Sequence, residues 1–232
     1  MKTLGLIGGM SWESTAVYYR LINEQVRERL GGLHSAQMVL YSVDFAEVER
    51  LQVNDQWLEA GQLLANAARA LEAAGAAGLV LCTNTMHKVA SAIESASLLP
   101  LLHIADATAR EIQKAYVERV GLLGTRFTME QGFYRNRLRD RHGIDVVLPA
   151  ELDRAHVHRV IYEELCLGKI RPDSREFYRQ VIEDLVRRGA QAIVLGCTEI
   201  GLLVDEDLSP VPLFDTTIAH ASAAVDFALQ EV

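Results

Sequence analysis

Gly75–Thr85 reads GAAGLVLCTNT, and Gly189–Glu199 reads GAQAIVLGCTE. Laid over one another, Gly75 meets Gly189, Leu79-Val80-Leu81 meets Ile193-Val194-Leu195, and Thr83 meets Cys197. Each stretch is a glycine, a short run of small and branched apolar residues, and then polar residues. Such runs, flanked by helical patterns, read as strands buried in a parallel sheet. Ahead of the first, Ala60, Leu63, Leu64, Ala67, Ala68 and Leu71 recur at three- and four-residue spacing; ahead of the second, Tyr178, Val181, Ile182, Leu185 and Val186 do so. Gly75 and Gly189 close these helices, because glycine best tolerates the left-handed backbone of a helix end. Arg187 and Arg188 add positive charge in the last turn of the second, where the helix dipole favours it.

Two further blocks echo each other. Thr3–Met10 (TLGLIGGM) lies over Arg119–Arg126 (RVGLLGTR), with Gly5 on Gly121 and Gly8 on Gly124, and Ile104-Ala105-Asp106 lies over Leu213-Phe214-Asp215. A period of roughly 115 residues is too long for a solenoid and points to a duplicated half-molecule. Each half has an apolar run ending in glycine (Leu4–Gly9; Val120–Gly124), a second run (Met38–Val43; Val146–Leu148), a helix and a buried strand. The alternation predicts an α/β fold: two similar doubly wound parallel-sheet lobes, Rossmann-like or flavodoxin-like, related by internal pseudo-symmetry. The expected division is 1–98 plus 211–232 for the first lobe and 99–210 for the second. Pro210–Pro212 is too proline-rich to begin a central strand and reads as the crossover back.

The chain has 232 residues, 50% of them hydrophobic, which suffices for two cores. No apolar run reaches about 18 residues, so no spanning helix is expected and no membrane partner. The N-terminal MKTLGLIGGMSWEST does not read as a signal peptide. The net charge of −8 argues against nucleic acid as a partner. Cys82, Cys166 and Cys197 form no CxxC pair and read as reduced thiols of a cytoplasmic protein.

In open α/β sheets, ligands bind beyond the carboxyl ends of the strands. Gly8-Gly9-Met10-Ser11, Thr83-Asn84-Thr85 and Cys197-Thr198-Glu199 fall there. With the active site in a cleft between facing lobes, Thr83 and Cys197 would approach one ligand from opposite sides. Two proton-handling groups on opposite faces of one carbon are what inversion of a stereocentre requires.

The motifs GLIGGMS (Gly5–Ser11), TNT-x-H (Thr83–His87) and GCTE (Gly196–Glu199) carry a resemblance. Over its whole length the chain resembles the cofactor-independent aspartate/glutamate racemase family, in which two cysteines face each other across the substrate α-carbon. By position the second cysteine matches Cys197, and Thr83 stands where the family has the first. Cys82 lies one residue too early. A one-residue shift along a strand turns the side chain to the other face, so Cys82 reads as a buried, apolar-type cysteine.

The resemblance implies interconversion of L- and D-aspartate and/or glutamate without pyridoxal phosphate or any other cofactor, by a homodimer acting on a small amino acid. Cys197 is then the base on the L enantiomer, and Thr83 the proton donor on the D face. A helix N-terminus at Thr198 would favour the Cys197 thiolate. A threonine hydroxyl is a far weaker acid and needs an adjacent base to act as one; His87 is a candidate for that help. Without a cofactor the carbanion must be stabilised by donors aimed at the α-carboxylate. Asn84, Thr85 and Thr198 suit this role, with Glu199 completing the second loop, and Gly8-Gly9 would let the Met10 backbone approach closely. Gln52 is added by the resemblance. Arg126, the repeat partner of Met10, is the chosen cation for a distal carboxylate. The alternatives are a hydantoin-racemase, arylmalonate-decarboxylase or maleate-isomerase chemistry on the same scaffold, or a non-catalytic amino-acid-binding module.

Other signals are weaker. Neither a G-x-G-x-x-G nor a GxxxxGK[ST] loop is present. Lys88 reads as a solvated helix residue. His156-x-His158 lacks a third ligand, so no metal is expected. Arg135–Arg141 reads as a solvated helix face, and Asp106 and Asp215 as helix caps.

Overall fold

A computed structural model describes residues 1–230. These divide into two compact units, Met1–Ile104 with the chain from His220 onward, and Ala105–Ala219. The first unit holds β1 (Leu4–Gly8), α1 (Trp12–Leu30), β2 (Met38–Ser42), α2 (Phe45–Val53), α3 (Trp57–Ala73), β3 (Gly78–Leu81), α4 (Ala90–Ala96) and β4 (Leu101–Leu102). Then come α5 (Ile104–Lys114), β5 (Arg119–Gly124), α6 (Arg126–Glu130), α7 (Gly132–His142), β6 (Asp145–Val147), α8 (Glu151–Glu163), α9 (Pro172–Arg187), β7 (Ala192–Gly196), β8 (Leu213–Asp215) and α10 (Thr216–Leu229). Each unit has a four-stranded sheet, ordered β2-β1-β3-β4 and β6-β5-β7-β8, and every pairing is parallel. The strand order reverses between β1 and β3 and between β5 and β7, which is where doubly wound sheets open a crevice at their carboxyl ends.

Alternation along the strands sorts the first core into two layers. Ile7, Leu79 and Leu81 pack with Leu64, Ala67, Ala68 and Leu71 of α3. Leu4, Leu6, Val80 and Cys82 pack with Tyr18, Ile22 and Val26 of α1 and with Ala221, Ala224, Val225 and Ala228 of α10. Both faces of the sheet are therefore covered, which is why its central strands read as unbroken apolar runs.

The helix ends match between units. Gly75 has φ +85° and Gly189 φ +93°, and directly beyond each, Ala76 N–H reaches Leu71 O at 3.1 Å and Ala190 N–H reaches Leu185 O at 3.0 Å. A side chain would be strained at either glycine.

Strand register makes the repeat residue-exact in the central strands. Leu79 pairs with Gly5 and Ile193 with Gly121, so Thr83 and Cys197 occupy equivalent places beyond β3 and β7. The third echo is displaced by three residues. Leu101 pairs with Leu79 and Leu213 with Ile193, so Leu101 corresponds to Leu213 and His103, not Asp106, to Asp215.

The units also change over later than the expected divisions at 98/99 and 210/211. β4 is hydrogen-bonded to β3 and stays with the first sheet, and β8 is hydrogen-bonded to β7 and stays with the second. Pro210–Pro212 leads into β8 rather than back to the first unit; the chain crosses within α10, between Ala219 and His220. Among the described residues no helix is long and apolar enough to cross a membrane.

Candidate functional site

In the first unit the loop after β1 is held by Thr15. Its Oγ1 accepts from Gly9 N–H at 2.8 Å and donates to Ser11 O at 2.9 Å, while Ser11 caps α1 through Ser14 N–H. Gly9 has φ +92°, and a Cβ there would lie 2.2 Å from Val43 O. The glycine thus admits the backbone after β2, a packing reason that differs from the close ligand approach expected of Gly8-Gly9. The Met10 side chain is buried in the core layer that contains Val48, Leu51 and Met86. Gln52, buried on α2, donates from Nε2 to Met86 Sδ at 3.0 Å. Met10, Gln52 and the turn carrying Met86 are thereby brought together.

Thr83 is half-buried beyond β3, followed by buried Asn84 and Thr85 at the start of a 3-10 turn, Thr85–Val89. His87 does not serve the Thr83 hydroxyl. Its Nδ1 donates to the Thr83 carbonyl at 2.7 Å, and its Nε2 accepts from Ile104 N–H at 3.2 Å. Both ring nitrogens are occupied by backbone, which fixes a neutral tautomer and leaves no lone pair for a hydroxyl proton. His87 lies 4.5 Å from the His103 ring and 5.8 Å from His220, which is bonded to Tyr18 Oη and Leu102 O. Cys82 is fully buried, its thiol pushed up by burial, and Sγ points to Val80 O. Lys88 is not a solvated helix residue: its Nζ sits 3.6 Å over the Trp57 ring. Burial pulls its pKa down, and nearby Asp55 opposes that.

In the second unit Cys197 follows β7 and precedes a 3-10 turn, Thr198–Leu202. Its Sγ–H donates to Glu199 Oε2 at 3.0 Å. Burial, then the Glu199 carboxylate, with Cys166 contributing less, hold the thiol well above its ordinary range. The expectation of a favoured thiolate is therefore corrected. A single 3-10 turn supplies a weak dipole, while a neighbouring anion and desolvation both act against charge on sulfur. Thr198 and Glu199 are half-buried beside it. Thr217, which the sequence reading did not single out, donates from Oγ1 to Thr198 Oγ1 at 3.3 Å. Its place directly after a strand end, one residue into α10, was the available signal. Asp215 accepts from Thr217 N–H at 2.7 Å and Ile218 N–H at 3.2 Å, capping α10. Burial raises its carboxyl, and hydrogen bonds from Ile218 and from the Thr217 backbone and hydroxyl oppose the rise.

Arg126 opens α6, just after β5, the strand paired with β7. Arg126 is exposed, and its backbone N–H, not its guanidinium, donates to His158 Nδ1 at 3.3 Å. His156 stacks on Phe177 at 3.9 Å. Among the described residues no group of three or more His, Cys, Asp or Glu side chains could hold a metal ion. Asp106 is no cap: it pairs with Arg137 at 2.6 and 2.7 Å and with His142 at 2.9 Å, so Arg137 is not on a solvated face.

The family model described as Asp/Glu/Hydantoin racemase matches residues 7–224. The chain belongs to that family. A crystal structure of a candidate Asp/Glu racemase from Yersinia pestis is 61% identical, with TM-score 0.94, covering 99% of this chain and all (100%) of that one. An aspartate racemase homologue from Pyrococcus horikoshii OT3 is 33% identical, with TM-score 0.86 over 99% of this chain and 100% of that chain. The broad-specificity amino-acid racemase RacX of Bacillus subtilis (strain 168) is 22% identical over 228 residues, 96% of each chain. Within the Asp/Glu/hydantoin racemase family, this member carries Thr83 and Cys197 at equivalent strand ends.

Proposed function

We propose that the chain is a cofactor-independent racemase of aspartate and/or glutamate, with Cys197 as the base toward the L enantiomer and Thr83 as the proton donor on the D face. Family membership supports the reaction class. The observation that carries the assignment of Cys197 is its hydrogen bond to Glu199 at 3.0 Å. A thiol held protonated is no base, but here its proton already points at a carboxylate. A substrate ammonium near the sulfur favours the thiolate, and Glu199 accepts the proton as the charge forms. The thiolate then takes the α-proton. Thr83, whose hydroxyl has no imidazole to deprotonate it, relays a proton drawn from water to the opposite face. Donors at Asn84, Thr85 and Thr198 take the charge that develops on the α-carboxylate. Gln52 and the Met10 backbone complete the carboxylate contacts, and Arg126 takes the distal carboxylate. The protein acts in the cytoplasm as a homodimer.

The two enantiomers have equal free energy in water, so kcat/KM is the same in both directions. The unequal acidities of Thr83 and Cys197 split kcat from KM without making the reaction one-way. The test is incubation with L-aspartate or L-glutamate in deuterated water, followed by NMR of the α-proton and by chiral chromatography. Loss of the α-proton signal with growth of the D enantiomer supports the reading. Binding without exchange overturns it and leaves an amino-acid-binding module.

A further inference from the structure

Thr216 and Thr217 follow β8 as a pair, and their hydroxyls go to different places. Thr216 Oγ1 donates to Leu195 O at 2.9 Å and ties α10 to β7. Thr217, 1% exposed, reaches instead to Thr198, on the turn beside Cys197. A buried threonine early in a helix commonly satisfies its hydroxyl on its own backbone; this one spends it on a side chain of another segment. Asp215 fixes where Thr217 stands, because its Oδ1 holds the Thr217 and Ile218 N–H groups.

Resting on the racemase reading above, we infer that Thr217 is a positioning residue, braced by Asp215, that fixes the Thr198 hydroxyl as a donor toward the substrate carboxylate. A hydroxyl carries one proton. When Thr217 gives its proton to Thr198 Oγ1, one of that oxygen's two lone pairs is engaged, the hydroxyl is held in place, and its own proton is left for a ligand. Asp215 competes for the same Thr217 proton. Asp215 Oδ1, however, is already taken up by the Thr217 and Ile218 N–H groups, and the Thr217 hydroxyl reaches Thr198 Oγ1 at 3.3 Å. A donor oriented before the substrate arrives need not be reorganised as charge develops.

A double-mutant cycle tests this, read as kcat and KM for α-proton exchange on L-aspartate and L-glutamate, with thermal melting to verify folding. Thr217→Val keeps the shape and removes the donor. It lowers kcat/KM roughly five- to tenfold, the scale of one hydrogen bond, mainly through kcat because the donor acts on charge that develops in the reaction. Thr217→Ser restores the value to within about twofold. In a Thr198→Val background, Thr217→Val costs less than about twofold, because the group it positions is gone. Thr217→Ala replaces the valine variant should that fail to fold. A kcat/KM for Thr217→Val within about twofold of wild type, or an equal loss in both backgrounds, overturns the inference while the exchange activity stands. A wild-type protein that exchanges no α-proton overturns the racemase reading itself.

Discussion

Cys197 donates its thiol proton to Glu199 at 3.0 Å, and the same carboxylate helps to hold the thiol in its protonated form. Glu199→Gln therefore separates two properties that usually move together. Removing the anion lets the thiol ionise at lower pH, so alkylation of Cys197 at neutral pH speeds up several-fold. It also removes the proton acceptor, so exchange on L-aspartate or L-glutamate falls about ten- to a hundredfold. Iodoacetamide kinetics, followed by peptide mass, read the first effect, and NMR exchange the second. A parallel change in both would count against the proposed role of Glu199.

The sulfur and oxygen at equivalent strand ends have unequal acidities. Cys197→Ser lowers exchange by at least about a hundredfold, because a hydroxyl beside Glu199 is a far poorer base than a thiolate. Thr83→Cys raises turnover, because a thiol exchanges protons near neutral pH without help from His87. Steady-state kinetics from each enantiomer checks both variants. Substantial activity in Cys197→Ser would remove the proposed base.

Buried thiols also tie stability to pH. Burial raises Cys82 and Cys197 in the folded state, whereas in the unfolded chain they ionise near about 8.5. Below that pH both states hold the protons and the folded state keeps the full contribution. Above it the unfolded state binds fewer protons, so stability falls as pH rises. Urea midpoints should decline from about pH 8.5 upward. Cys82→Ala should shrink that decline while costing some stability at neutral pH through the lost sulfur.

Gly9 is enclosed by the backbone after β2. Gly9→Ala places a Cβ against Val43 O at a positive φ, and a loss of more than about 2 kcal/mol is expected. Urea denaturation reads it. Gly31, with nothing within 4 Å of its added Cβ, offers a control in which only φ strain acts.

The Asp106–Arg137–His142 cluster ties the first turn of α5 to α7. Asp106→Asn leaves Arg137 half-buried without its carboxylate, and stability should fall by about 1–3 kcal/mol. Equilibrium unfolding measures this, and a change under about 0.5 kcal/mol would class the pair with weak surface ion pairs.

The fold was legible because both sheets are covered on both sides, which writes apolar runs, and because Gly75 and Gly189 punctuate them identically. The unit boundaries were less legible. A strand belongs to the sheet that hydrogen-bonds it, and nothing in Leu101–Leu102 or Leu213–Asp215 names that partner. Asp106 and Asp215 look alike in sequence, yet one meets an arginine 31 residues away and the other its own helix. At the candidate site, the strand-end position made Thr83 and Cys197 visible. The acidity of Cys197 was not, because it depends on how deeply the sulfur is enclosed and on which way Glu199 turns. His87 differs from its expected role for a similar reason: its spacing from Thr83 brings it back to the carbonyl, not to the hydroxyl.

The first unit is assembled from two pieces of chain, and β1 and β3 are covered on one side by α10, whose Ala228 O accepts from Lys2 N–H at 2.8 Å. The second unit is one uninterrupted stretch. A ribosome therefore delivers every residue of the second unit before it can supply the part of α10, from His220 onward, that seals the first. During synthesis β1 waits, with part of its apolar surface uncovered, for α10 residues made more than two hundred positions later.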